Sequence, residues 1–557
     1  MLPLTQITGQ NKMKQLTQLV IALSLCGFLA ACAAATPVPP TVIKEKETVT
    51  VIVKETVPVT VPVPVTVTPV PTPTPKRGGT LVIARVEEVS GLDPHKHSTH
   101  ASLRAIELLY DSLLTFDQNL QVIPHLAQAW QWSDDGKALT VTLRPNIKFH
   151  NGDVLTAEDV KYTFERILDE KTLATARAFF TDIERIEVTD ATTVTFRLKR
   201  VNAALPAALA HPNAAIVSKK FVTSGGSFNK ESAGTGAFKL VRWEPGRALT
   251  LTAHRDFWMP GLPRVESIEF RTVLDENAAL AGLRAKTFDL ALVNDWRVVL
   301  RAGAGDNPLT ITRTRALGYH VLMLNPSRRV FNDVRVRQAI ACAIDRQEVL
   351  DIAALGEGVV TSPLTPPYYR ANVNDLFCYQ KNWERARQLL TEAGRASGLR
   401  FRIMVPSDSV TLTTAAQNIQ AQLRKAGVET DLDVLEPGVY GDRWYKADFD
   451  AALASPNGYP DPDVMLTPYW HSTGEINRIA NYRDAELDKL LEQGRATLEP
   501  EKRKLIYDQI QKRLAEAAPW VWLFSGYDYR VMQPYVKGFT PLPNGSLIYA
   551  REIWLDK

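Results

Sequence analysis

From Ala33 to Arg77 the chain cannot build a core. The segment carries ten prolines and no aromatic residue, and its later part reads VPVTVPVPVTVTPVPTPTP. Proline fixes φ and removes a backbone donor, and Val and Thr alone leave too little to bury. Such a run favours extended, polyproline-like conformations. At about 3.1 Å per residue it reaches on the order of 140 Å at most. It reads as a spacer, and it confines globular structure to Gly78–Lys557, which is 557 − 77 = 480 residues.

What precedes the spacer explains it. Leu19–Leu29 (LVIALSLCGFL) is an apolar stretch of 11 residues flanked by Lys12 and Lys14. A bilayer-spanning helix takes about 20 residues, so this stretch is too short. It fits the apolar region of a signal peptide over residues 1–31, with Met13 as a possible start. Leu29-Ala30-Ala31-Cys32 matches a bacterial lipobox. Cys32 is therefore expected to become the lipidated first residue, with residues 32–77 as its tether. More than one acyl chain gives durable anchoring where a single one is marginal. An ordinary secretory signal with a chance cysteine is the alternative.

The whole chain has 45% hydrophobic and 23% charged residues and a formal net charge of +4. These are ordinary globular values. Removing Lys12 and Lys14 leaves 63 basic against 61 acidic residues, or +2. So balanced a chain, with no Lys/Arg block, carries no electrostatic footprint for nucleic acid. Of four cysteines, Cys26 lies in the signal and Cys32 is the lipidation site, leaving Cys342 and Cys378. Outside the cytoplasm these two can pair. Cys342 lies in an apolar helical run, VRQAIACAIDR, and a buried free thiol is the simpler reading.

The first half of the globular part reads as strands. LTVTLR alternates, IEVTDATTVTFRL is two strands around a polar turn, and FKLVRWEPGRALTLTAHRDFW is a hairpin turning at Glu244–Arg247. Thr156 and Asp159 form a capping box ahead of VKYTFERIL. The second half changes character. Leu399, Phe401, Ile403 and Val405 alternate; Leu412, Ala416, Ile419, Leu423 and Ala426 then recur at helical spacing up to Gly427; VETDLDVL follows. A strand–helix–strand unit implies a parallel sheet. Its first loop, SDSVT, sits at a strand's carboxyl end, where ligands of open α/β sheets bind. Further helices are predicted over NWERARQLLTEAG, AELDKLLEQGRA and EKRKLIYDQIQKRLAEA.

Catalytic motifs are missing. There is no G-x-S-x-G elbow, P-loop or H-E-x-x-H. The cluster His95, His97 and His100 (HKHSTH) has metal-binding residue types, but a solvated loop is the simpler reading. Gly458–Gly474 (GYPDPDVMLTPYWHSTG) is read as a proline-stiffened loop that sets Tyr459, Tyr469 and Trp470 beside Asp461 and Asp463. Such a loop suits a cleft for a polar organic ligand.

Four long segments resemble the extracytoplasmic solute-binding proteins of family 5, the peptide, dipeptide and nickel class of ABC importers. They are LAQAWQWSDDGKALTVTLRPNIKFHNGDVLTAEDVKYTFERI (Leu126–Ile167), the Gly-Thr-Gly segment Gly234–Trp258, FNDVRVRQAIACAIDRQEVL, and the C-terminal NYRDAELDKLLEQGRATLEPEKRKLIYDQIQKRLAEAAPWVWLF. The resemblance runs from Gly78 to the end. It implies a bilobal, periplasmic-binding-protein-like α/β clamp of type II (cluster C). Domain I would hold 78–321 plus 522–557, and domain II 322–521. The two crossings, near Tyr319–Asn325 and Pro519–Tyr527, would act as a hinge.

The function implied is non-catalytic: capture of a peptide or peptide-like solute outside the cytoplasm and delivery to permease subunits in the membrane. The location expected is the periplasm or the outer face of the cytoplasmic membrane, through the Cys32 anchor. The chain is expected to act as a monomer, with no cofactor and no resident metal. An anchored surface hydrolase, or a sensory or adhesive lipoprotein that reused the clamp, are the alternatives. One departure matters. Peptide binders of the family carry an Asp four places before the Pro of an acidic-Pro pair, and it grips the ligand's ammonium. Here that position is Gly458. A cargo held differently, or a non-peptide such as an oligosaccharide, an opine-like conjugate or a metal chelate, is therefore weighed beside the peptide. Expected ligand-binding residues are Asn457, Gly458, Tyr459, Asp461, Thr235, Trp296 and Tyr110. Trp130 and Trp132 are expected to pack in the core.

Overall fold

The computed structural model of the protein describes residues 74–304 and 308–557. The signal segment, Cys32 and nearly all of the spacer lie outside the described residues.

The alternating patterns become strands. Ala138–Leu143 buries Leu139, Val141 and Leu143 on one side and lies between Ala127–Trp132 and Thr193–Leu198. With Ile183–Asp190 these form a 4-stranded sheet. Trp130 and Trp132 are half-buried against its core. The helix Ala157–Leu168 covers it, started by the predicted capping box: Asp159 Oδ2 accepts from Thr156 N at 3.0 Å. The hairpin Phe238–Glu244 and Ala248–Ala253 forms the edge of a 7-stranded sheet. The centre of that sheet is Thr80–Arg85, parallel to both Ser267–Thr272 and Leu290–Val293.

A separate 6-stranded sheet holds the strand–helix–strand unit. Leu399–Pro406 runs parallel to Val428–Leu435 and to Ala451–Ala454. The helix Val410–Lys425 between them buries Leu412, Ala416, Ile419 and Leu423, and Gly427 follows it at φ +84°. On its other flank the sheet takes His320–Leu324 and Trp520–Ser525. The helices Trp383–Glu392, Ala485–Ala496 and Pro500–Ala517 appear where their periodicity puts them.

The chain passes between the two large sheets twice. Thr310–Arg315 belongs to the seven-stranded sheet and His320–Leu324 to the six-stranded one. Trp520–Ser525 and Tyr527–Met532 are divided the same way. The connecting pieces are tied together: Ala316 N donates to Gly526 O at 3.0 Å.

Two expectations are corrected. Cys342 and Cys378 are joined by a disulfide, with Cα atoms 4.8 Å apart. Cys342 is buried on the helix Val334–Ala343, and the chain after Pro367–Tyr369 folds back to bring Cys378 to it. The second correction is that Gly458–Gly474 is not all loop. Pro462–Trp470 is a helix, capped by Asp461, whose side chain accepts from Asp463 N at 2.8 Å. Proline at a first helical position costs nothing, because its missing N–H has no partner there. Pro468 lies further inside and forgoes one helical bond. Trp470 is fully buried, with its ring centroid 4.7 Å from that of Trp520 and 5.8 Å from that of Trp522.

Candidate functional site

The turn after Ala451–Ala454 lies between two cavities. One, of about 410 Å³, is bordered by Arg104 and Glu107 of the helix His100–Leu109, by the loop Asn544–Ser546, and by Asn457, Gly458 and Tyr459. The other, of about 320 Å³, is bordered by Trp296, His320, Phe524 and Tyr527, by Ser409 and Thr411 at the start of the helix Val410–Lys425, where the expected SDSVT loop has already become helical, and again by Asn457. Exposed Asn457 thus borders both, and residues attached to both large sheets form the walls.

The turn is held by backbone contacts. Tyr319 N donates to Pro456 O at 3.2 Å, and Thr365 Oγ1 donates to Leu317 O at 2.7 Å. Gly458 passes directly over that crossing: a β-carbon there would lie 1.9 Å from Leu317 O and 2.7 Å from Thr365 Oγ1. The position cannot carry a side chain on this backbone. Tyr459 meets Phe179 edge-on at 6.2 Å between centroids, and Phe179 meets His211 at 5.6 Å. Burial raises the Tyr459 hydroxyl's pKa, so it stays a neutral donor. Burial lowers the His211 imidazole to about 4 and that of His320 to about 4, so both are uncharged at neutral pH.

At the floor of the larger cavity Glu107 is 7% exposed. It accepts from Ser546 Oγ at 2.6 Å and from Leu547 N. Burial dominates and raises its pKa to about 7, against the opposing pull of those bonds.

The remaining expected residues lie elsewhere. Asp461 is 6% exposed, and its two oxygens accept from Arg503 Nη1 at 2.6 Å and Nη2 at 2.9 Å. Its carboxylate is spent on a buried pair. Thr235 is fully buried and donates to Asp111 Oδ2 at 2.9 Å. Its flanking glycines press on a helix end, since β-carbons at Gly234 and Gly236 would fall 2.1 Å from Leu109 O and 2.5 Å from Leu108 O. Tyr110 is 1% exposed beneath Gly234. Asp461, Thr235 and Tyr110 therefore support the site from behind, whereas Asn457, Gly458, Tyr459 and Trp296 border the cavities. Nor do the three histidines converge. Arg166 Nη1 donates to His95 Nδ1, which leaves His95 Nε2 to donate to Ala215 O at 3.0 Å. His97 lies near Ser90, and His100 begins a helix at the larger cavity.

Sequence reasoning missed Arg104, Glu107, Phe179, His211, His320 and the Asn544–Ser546 loop. They come from segments far apart in the chain, and no local motif joins them.

Known proteins with this architecture bind solutes. A family model described as bacterial extracellular solute-binding proteins, family 5 Middle, matches residues 121–477. The di/tripeptide-binding protein 1 of Pseudomonas aeruginosa (strain UCBPP-PA14) is 28% identical over 487 residues, covering 82% of this chain and 90% of the relative. The crystal structure of the ABC transporter substrate-binding protein CtaP of Listeria monocytogenes shares the fold. Its TM-score is 0.78 at 24% identity, over 86% of this chain and 100% of that one. The binding protein AgaA of A. tumefaciens R10, solved with agropinic acid, gives a TM-score of 0.71 at 26% identity, over 86% and 99%. The relatives are solute-binding proteins rather than enzymes, and their fold is a bilobal α/β clamp. This chain belongs to the bacterial extracellular solute-binding proteins, family 5.

Proposed function

We propose that this chain is the membrane-tethered receptor of an ABC importer, which captures a peptide or peptide-like solute by hinge closure and delivers it to the permease. One observation carries the reading: two cavities meet at Asn457 between two sheets whose chain connections, among the described residues, are the paired crossings at 316–319 and 526. Paired connections of this kind let two bodies rotate about one line. On this reading one lobe holds 78–315 and 527–557, and the other 320–525. The hinge is then slightly wider of the second lobe than the 322–521 expected from sequence. Lipid on Cys32 and the spacer keep capture and delivery within one small volume. The receptor acts as a monomer.

Peptide cargo draws support from the di/tripeptide-binding relative, and a non-peptide cargo from the structure holding agropinic acid. The second reading is favoured by a specific feature: Gly458 admits no side chain, and Asp461 is already paired. Titration calorimetry with dipeptides, opine-type conjugates and neutral oligosaccharides tests the proposal. One class is expected to bind with 1:1 stoichiometry and to change the fluorescence of Trp296, which borders the smaller cavity. Failure of all three classes contradicts it.

A further inference from the structure

Two cations gather at the floor of the larger cavity. Gly545 O accepts from Arg104 Nε at 3.1 Å and from Arg530 Nη2 at 3.0 Å, so two guanidinium groups converge on one carbonyl. Arg530 is buried and its Nη1 donates to Tyr529 O at 2.9 Å. Arg104 is half-buried and borders the cavity; its only hydrogen bond to a described residue is the one from Nε, and it forms no ion pair among the described residues. Gly545, at φ +73°, leaves the room. A β-carbon there would lie 3.2 Å from Arg104 Nη2, 3.3 Å from Asp528 Oδ2 and 3.5 Å from Arg530 Nη2.

Among the described residues, neither nearby carboxyl group is hydrogen-bonded to the Arg104 Nη atoms. Asp528 lies beside the pair and borders the smaller cavity, and Glu107 lies within electrostatic reach of both guanidinium groups. Glu107 has both oxygens engaged by Ser546 and Leu547. Asp461, the acidic residue of the turn, is held by Arg503. A half-buried guanidinium facing a cavity with its Nη groups open is a fork shaped for a planar anion.

We propose that Arg104 is an anion seat of the cleft and that the cargo is recognised through a carboxylate group docked on its Nη atoms. This inference rests on the receptor reading and deepens it.

The test is titration calorimetry on the full-length chain with four probes: Ala-Leu, its N-acetyl form, its C-terminal amide, and a neutral oligosaccharide. Phosphoserine is added to separate carboxylate from phosphate. The expected result is that N-acetylation has little effect, while amidation weakens binding about tenfold to a hundredfold, the loss of one charge-assisted bidentate contact. In Arg104→Gln the acid should bind no better than the amide, and Arg104→Lys should restore part of the difference. Thermal melting of both variants checks that they fold. Equal binding of acid and amide to the wild type, or unchanged acid binding in Arg104→Gln, overturns the seat. So does tighter binding of phosphoserine than of every carboxylate probe. If only the oligosaccharide binds, the seat is overturned and the receptor reading survives. If nothing binds, both fall.

Discussion

Gly458 is a position whose lack of a side chain the fold dictates. Its missing side chain is imposed by Leu317 and Thr365, which occupy the space a β-carbon would need. Placing an aspartate there by Gly458→Asp is therefore predicted to destabilise rather than to create an amine grip. Displacing backbone at 1.9 Å costs at least about 2 kcal/mol, in the range of overpacked cores. Urea unfolding reads the loss, and calorimetry should find no gain for free amines. A folded variant that acquires a preference for free amines would contradict this. Asp111 gives a pH prediction. It is 2% exposed and accepts from His125 Nε2 at 2.9 Å, Thr235 Oγ1 at 2.9 Å and Trp258 Nε1 at 3.0 Å. Burial alone would raise its pKa, but His125 and these donors outweigh burial and hold it at about 2. A depressed carboxyl adds stability above its unfolded pKa near 4 and loses it as pH falls toward 2, about 2 kcal/mol in all. In Asp111→Asn that loss is present already at neutral pH, and stability should change less between pH 4 and 2 than in the wild type.

Elements with a strong period were legible before folding. The capping box at Thr156 and the strand–helix–strand unit at 399–435 stand where their patterns put them, because each buries its own apolar face. The helix Pro462–Trp470 was not legible as such, since three prolines in the stretch suggested a rigid loop. The deciding signal was Asp461 followed by Pro462, an N-cap and a first helical position. The disulfide was hidden for another reason. Cys342 looks like any small core residue of a helix, and only the return of the chain near residue 378 brings its partner close. Closing a loop of 36 residues lowers the entropy of the unfolded chain by about 4 kcal/mol in the loop-closure picture. Cys378→Ser is predicted to lower stability by up to about that amount, measured by urea unfolding. An unchanged midpoint would show that the bond does not constrain the unfolded chain.

At the scale of the whole molecule, the architecture follows from two sheets that bury separate cores and share two crossings. The strands and helices of each sheet were readable from their periodicity, but the cavity was not, since its floor draws on residues 104, 107, 545 and 546 and its turn on 457–459. Contacts already join the two sides. Tyr529 of the seven-stranded sheet donates its hydroxyl to Glu357 Oε2 at 2.8 Å, Arg313 Nη1 lies 3.3 Å from Glu357 Oε1, and Ala203 N donates to Arg495 O at 2.8 Å. On the proposed receptor reading, opening breaks those ties that lie away from the crossings, and a captured solute replaces them as the link between the two sides. The most direct measurement is native mass spectrometry of the purified full-length chain after dialysis against a mixture of extracellular nutrients. One solute per chain, released with its mass unchanged, is the predicted result. A chain that emerges with nothing bound, or with a bound species cleaved or covalently altered, would contradict the account.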